Sequence, residues 1–417
     1  MRTRAGKSAA AAAAAALLAG SLLAAPSVEI TNVQQQYPWT NTVDITYTVQ
    51  GVNKTHQTNR LDHIVNDTYF ATFEAKNGNT PIQDVNGNTV FTNGLVQGNG
   101  TFTAQWQPKT DLQLTGCTMT PSVFRGEENA YLVVNLETNK QGKCEYWYEP
   151  MSTQEDSNKR YNTPEYKTSK MVFRRIPAGD YVIGDAGATG GTFEYYNTAH
   201  TVNVPKDFYI GIFVVTEGQY FRMLDNSKNN NNTYPKITLT YTGLRGGALA
   251  QATVGPGVIA NLQQNCDNKL KFDLHTHAMW EVAMRAGSRD RYTSGSTTTN
   301  LGLYQYYNNS GSAKSIVGSK LPNAWGIYDA IGYDWNWCID NGPTTKQDLK
   351  NLETGSVFVP LQGAGPSMNV VVGGHFGNPI GNITHWLSYY STRAPNSDTR
   401  HFRLAVYPSD CYPNGGK

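Results

Sequence analysis

Thr276-His277-Ala278-Met279-Trp280-Glu281-Val282-Ala283-Met284-Arg285-Ala286-Gly287 reads as one short helix with both ends marked. Thr276 is the N-cap, because its hydroxyl can accept from an amide that the first turn leaves unpaired. Gly287 stands where a C-terminal cap belongs, at the left-handed turn that ends a helix. A second marked helix precedes it. Thr216 caps Glu217-Gly218-Gln219-Tyr220-Phe221-Arg222-Met223-Leu224, and Gln219, three residues on, completes a capping box. Beyond Gly287 helical periodicity disappears, leaving short runs of Gly, Asn, Tyr and Trp. This half of the chain is therefore expected to be built mostly from ordered loops.

Toward the N-terminus the pattern is that of strands. Val43, Ile45, Tyr47 and Val49 alternate with Asp44, Thr46, Thr48 and Gln50, and Phe102, Ala104 and Trp106 repeat the period. Asn77-Gly78 and Asn86-Gly87 are hairpin-turn dipeptides, since both central residues of a tight turn must tolerate positive φ. Short strands between such turns predict an antiparallel β-sandwich, immunoglobulin-like in type, over residues 26–150. Its expected role is a spacer. Residues 151–170 are polar and read as a linker or a strap laid across a surface.

The chain has 417 residues, which suits two domains or three. Its 34 basic and 32 acidic side chains nearly cancel, and a net charge of +2 gives no electrostatic case for nucleic acid. Arg2, Arg4 and Lys7 precede an unbroken small and apolar run from Ser8 to Ala25 that closes on Leu22-Leu23-Ala24-Ala25-Pro26. Residues 1–25 therefore read as a signal peptide. A mature chain from Pro26 would be secreted, periplasmic or on the cell surface, with no stable membrane span. In such an oxidising compartment cysteines can pair. Cys117 and Cys144 flank one strand-like segment and are expected as a local disulfide, while the pairing among Cys266, Cys338 and Cys411 stays open.

Several boxes now carry a resemblance. Phe173-Arg174-Arg175-Ile176-Pro177-Ala178-Gly179-Asp180-Tyr181-Val182-Ile183-Gly184 resembles the opening "P-x-G-x-F-x-M-G" of the formylglycine-generating (sulfatase-modifying factor) family. Phe208-Tyr209-Ile210-Gly211 with Val215-Thr216-Glu217-Gly218-Gln219-Tyr220 is similar to its "F-x-I-x-x-x-E-V-T-x-x-Q-Y". Phe272 to Glu281 resembles "R-L-P-T-E-A-E-W-E", and Pro322-Asn323-Ala324-Trp325-Gly326-Ile327-Tyr328-Asp329 follows in its place. Gly332 to Cys338 resembles "G-N-V-W-E-W-C", and Gly373-Gly374 with Phe402-Arg403-Leu404 matches the closing "G-G-S … G-F-R". The resemblance implies a variant of the C-type lectin fold over residues 171–410, with little regular secondary structure and a tail at 411–417. The fold class is therefore α+β, a β-sandwich followed by this domain.

In that family, formylglycine formation uses copper held by two thiolates, soft ligands suited to Cu(I). The two cysteines follow the Gly-Gly pair. Here those positions are Asn378 and Ile383, and no cysteine lies between Gly374 and Phe402. The copper oxidase thus loses its ligands, and no catalytic residue is assigned. Cys338 matches a structural position of the family. The resemblance also implies structural calcium near "G-N-V-W-E-W", for which Asp334 and Asn336 are the candidate ligands, although calcium prefers more carboxylates than this. His275-Thr276-His277 invites a metal, but alternate residues at a helix start point apart. They read as surface replacements of the family's Pro and Glu.

The segment HFGNPIGNITHWLSYYSTRAPNSDTRH from His375 to His401 is short of charge and dense in aromatic and small polar residues. His375, Phe376, Asn378, His385, Trp386, Tyr389 and Tyr390 are the candidate ligand-binding residues. Aromatic rings give rigid contact area and small polar groups adaptable hydrogen bonds, a mixture suited to a protein or glycan ligand. Some lectin-fold proteins resembling this family are variable proteins of diversity-generating retroelements, rewritten at adenines in this segment. Asn, Tyr, His, Ser, Thr, Asp and Ile are outcomes of rewriting Asn codons. The expected function is a secreted bacterial binding protein. The alternative is a sulfatase-modifying-factor oxidase acting on an exported substrate.

Overall fold

The structure is a computed structural model that describes residues 26–411 except 37–40, 53–56, 61–62, 67, 86–88, 97–98, 110–116, 138–141, 152–153, 189–194, 225–229, 238, 247–256, 309–314, 343–346, 352–354, 362–368, 386–387 and 392–399. The expected signal peptide and the Asn86-Gly87 turn lie outside the described residues. No helix among those described is long and apolar enough to cross a membrane. The chain divides into two compact units, one of Met1–His56 with Asn66–Gly126, the other of Gln57–Val65 with Glu127–Lys417.

The first unit follows from period-two patterning. Val43–Gln50 lies between Ser27–Gln35 and Gly100–Trp106 in an antiparallel sheet. Thr68–Asn77 pairs with Thr80–Pro81, Val90–Leu95 and the first part of the long strand Cys117–Asn135. Val43, Ile45, Tyr47 and Val49 are all buried, as their alternation requires. They share one apolar core with Ala71, Phe73 and Ala75 of the other sheet, and Tyr47 meets Phe73 edge-on at 4.9 Å between ring centroids. A tight hairpin does form here, but one residue later than the dipeptide suggests: Asn77 still pairs with Thr80, so Gly78 and Asn79 are the central residues, and only Gly78 has positive φ, 57°.

The boundary differs from the sequence expectation. Cys117–Asn135 is one continuous strand, and the compact units divide at Gly126, not near residue 150. Its second part pairs with Lys170–Ile176 and with Glu145–Met151. A strand that serves two units shows no break in its pattern, so the sequence carries no mark of the division. Residues 151–170 also differ. They contain the helix Gln154–Tyr161, whose Tyr161 is buried against Tyr131 and Tyr166 and donates to Glu149 at 2.6 Å.

In the second unit Lys271–Leu274, Leu404–Tyr407, Phe208–Gly211 and Lys170–Ile176 form successive antiparallel neighbours. A second sheet joins Asn336–Asn341, Asn369–Val372, Ser388–Ser391, Tyr195–Tyr196 and Gln347–Asp348. Helices Glu217–Leu224 and His277–Arg285 stand as their caps require. Thr216 and Gln219 exchange amide hydrogen bonds at 3.1 Å each way, and Thr276 Oγ1 accepts from the Met279 amide at 3.0 Å. The left-handed turn after the second helix begins one residue early, at Ala286 with φ 47°, before Gly287 at 82°.

The boxed residues hold the loops in place. Asn323 Oδ1 accepts from the amides of Trp325 and Ile327 at 3.0 Å each, while its amide group donates to Ala283 and Met284 carbonyls. Arg403, fully buried, donates to the carbonyls of Gly211 and Tyr328 at 2.7 Å. A fold poor in regular elements must satisfy its backbone in this way, with side chains replacing ladder bonds.

Candidate functional site

The loop after Gly373-Gly374 is set by backbone conformation. Gly373 adopts φ 94°, and a Cβ there would sit 3.3 Å from Asn336 Nδ2 and 3.4 Å from Trp280. The carbonyl of Gly373 accepts from the Gly332 amide at 2.6 Å, joining two of the boxes. The chain then folds into a turn. Asn378 Oδ1 accepts from the His375 amide at 2.6 Å, and His375 Nδ1 accepts from the Gly377 amide at 3.0 Å. The His375 and Phe376 rings lie 3.8 Å apart, half-buried. Asn378 also accepts, through its carbonyl, from the Asn308 amide at 2.9 Å.

The candidate binding residues therefore divide. His375, Phe376 and Asn378 share one turn with part of their surface open to solvent. His385 does not join them. It is buried, its Nδ1 3.1 Å from the Asp290 carbonyl, and burial pushes its pKa down to about 3. Its place in a loop of aromatics suggested a contact residue, but an imidazole also satisfies backbone groups well. Trp386 lies outside the described residues. Tyr389 and Tyr390 sit in the strand Ser388–Ser391, opposite Val371 and Val370, and their side chains lie outside the described residues.

The expected calcium ligands make a different arrangement. Asp334 Oδ1 accepts from the Trp335 amide at 2.7 Å, and Oδ2 lies 3.7 Å from His401 Nε2. Asn336 Nδ2 donates to the Asp334 carbonyl at 3.1 Å. Calcium takes six to eight oxygen ligands. One carboxylate and one amide oxygen beside an imidazole do not fit it. His401 is fully buried against the Tyr333 ring, and burial again holds it neutral with a pKa of about 3.

His275 and His277 are not surface replacements. Both are fully buried. His275 Nδ1 lies 3.7 Å from Cys338 Sγ, and burial drives the His275 pKa to about 3 and the Cys338 thiol well above the usual range. His277 lies 3.6 Å from Glu281, which accepts from the Gly184 amide, Asn197 and Arg285 at 2.7, 2.9 and 2.7 Å. These contacts bind the helix to its neighbours. Among the described residues no group of three or more His, Cys, Asp or Glu is arranged to hold a metal.

Residues 156–406 match the Sulfatase-modifying factor enzyme 1-like domain family. The chain belongs to this family. Similar solved structures include PvdO from Pseudomonas aeruginosa, 19% identical with a TM-score of 0.46, covering 57% of this chain and 94% of that one. Treponema denticola variable protein 1 is 22% identical with a TM-score of 0.42, covering 57% of this chain and 96% of that one. No curated protein matches in sequence.

Within the sulfatase-modifying-factor fold, the positions of the copper cysteines can now be tested against their surroundings. Asn378 spends its side-chain oxygen on its own turn, and Ile383 is a buried core residue. Neither is a soft donor, so the residues present do not fit a two-thiolate copper. Sequence reading missed a neighbouring feature of this family domain. Leu303, Ile316 and Leu321 are 53%, 48% and 48% exposed. The Leu321 amide donates to Leu303 at 2.8 Å, and the same short segment runs on to Tyr306 and to Asn308, which touches Asn378. Isolated leucines in a Gly- and Asn-rich stretch were the available signal, and no periodicity distinguishes them from core.

Proposed function

We propose that this family member binds a protein or glycan through the loop face that follows Gly373-Gly374, and is not a copper-dependent cysteine oxidase. The observation that carries the reading is the replacement of both copper cysteines, with Asn378 committed to holding its turn and Ile383 to the core. Supporting it is the company that the turn keeps. His375, Phe376 and Asn378 offer ring faces and small polar groups, and the adjoining segment leaves Leu303 and Leu321 open to solvent. Apolar area with polar groups interspersed is the composition of recognition surfaces.

The finer reading is of an exported chain, its signal peptide removed, with an immunoglobulin-like sandwich as spacer for a C-type-lectin-type binding domain. The loop composition, rich in products of Asn-codon rewriting, supports a diversified variable segment. A reverse-transcriptase gene beside this one, with a near-copy of the segment, is what sequencing the locus should find.

The binding test compares the full chain with its Tyr389→Ala/Tyr390→Ala variant on a panel of immobilised saccharides. Retention by at least one saccharide, weakened about tenfold or more in the variant, is expected for aromatic anchors. Equal retention of the two proteins would remove the loop face from the contact. Retention by none would remove the glycan and leave a protein ligand.

A further inference from the structure

Two cysteines far apart in sequence meet at a seam of the second unit. The Cys144 amide donates to the Asn265 carbonyl at 2.9 Å, and Lys143 Nζ donates to the Gln264 carbonyl at 2.9 Å. Lys143 also pairs with Asp267 at 2.9 Å. Cys266 is the C-cap of helix Val258–Asn265, its amide tied back to Leu262 and Gln263. The backbone on both sides is thus fixed where the two cysteines come together at one cleft. A surface cleft lined by Lys143, Cys144, Tyr146, Cys266 and Lys269 opens onto them. This corrects the expected Cys117–Cys144 pairing, since Cys266, and not Cys117, shares the cleft with Cys144.

We propose that Cys144 and Cys266 are a modification site, oxidised by a low-molecular-weight disulfide to a bond that staples the strand Glu145–Met151 to helix Val258–Asn265. Cys144 is the attacking sulfur. Contact with Cys266 and the charge of Lys143, which lines the same cleft, hold Cys144 below the usual thiol range. The Cys144 thiolate attacks RSSR, forming Cys144–S–S–R and expelling RS⁻, which takes up a proton. Cys266 then gives up its proton and attacks the Cys144 sulfur, expelling a second RS⁻ that becomes RSH. Two protein thiols are oxidised and one RSSR is reduced to two RSH. Cys338 has no comparable access, being fully buried beside His275.

The site is separate from the loop face, so its test is independent of the binding proposal. The folded full chain is equilibrated with oxidised glutathione, quenched in acid, alkylated and digested without reductant for mass spectrometry. A Cys144–Cys266 linked peptide, two hydrogens lighter than the separate peptides, is the expected product. Oxidation should also raise the melting temperature by several degrees, because closing a long loop restricts the unfolded chain, and Cys266→Ser should abolish that rise. Recovery of both cysteines as alkylated thiols, or of Cys144 linked to Cys117 or Cys411, would overturn the assignment. Mapping of the unsubstituted protein decides the matter even if the variant fails to fold.

Discussion

At the scale of single residues, Glu281 illustrates how this domain uses charge. Its two oxygens accept from the Gly184 amide, from Asn197 and from Arg285, and all of this is buried. Removing the carboxylate leaves Arg285 uncompensated in the interior, which typically costs about 3–5 kcal/mol. Glu281→Ala is therefore expected to lower the urea-unfolding free energy by roughly that amount. A loss below about 1 kcal/mol would show that the cluster is solvated and unimportant. Asn378 and Ile383 belong to the same scale. Their identities were legible in the sequence, because a missing thiol is a matter of composition and no loop insertion supplies one. The burial of His275, His277 and His385 was not legible, since a histidine between one threonine and one apolar residue has the same local pattern inside or outside.

At the scale of elements, legibility followed local chemistry. The two capped helices were readable because Thr216–Gln219 and Thr276–Met279 make their hydrogen bonds within one turn. The alternation in Val43–Gln50 was readable because one face is buried along its length. Helix Gln154–Tyr161 was not readable, since QEDSNKRY offers no apolar stripe and buries only Ser157 and Tyr161. The meeting of Cys144 and Cys266 at one cleft depends on tertiary placement and leaves no local trace. Thr216→Ala should cost about 1–2 kcal/mol, because the hydroxyl both caps Gln219 and donates to the Lys167 carbonyl. Denaturant titration checks this. An unchanged midpoint would mean that the cap is dispensable.

At the scale of the whole molecule, burial of titratable groups sets the response to acid. His275, His385 and His401 have pKa values pushed down to about 3 by burial, while unfolded imidazoles titrate near about 6.5. Between those values the unfolded chain binds more protons, so stability is full above about pH 6.5 and falls as pH drops toward 3. Asp329 opposes this. Burial raises its carboxyl to about 6, so from about pH 3.9 to 6 the native state holds the extra proton. Three groups outweigh one, and the melting temperature should fall by several degrees between about pH 7 and 4.5. A flat profile over that range would contradict the burial of these histidines.

The proposed binding role of this sulfatase-modifying-factor domain rests on the absence of a copper-dependent cysteine oxidase. A cysteine-containing sulfatase-motif peptide, incubated with the purified protein, copper, reductant and oxygen, tests it most directly by mass spectrometry. An unchanged peptide is expected, beside an active family enzyme that converts its own sample. Conversion of the cysteine to formylglycine would contradict it and require a copper site that does not use positions 378 and 383.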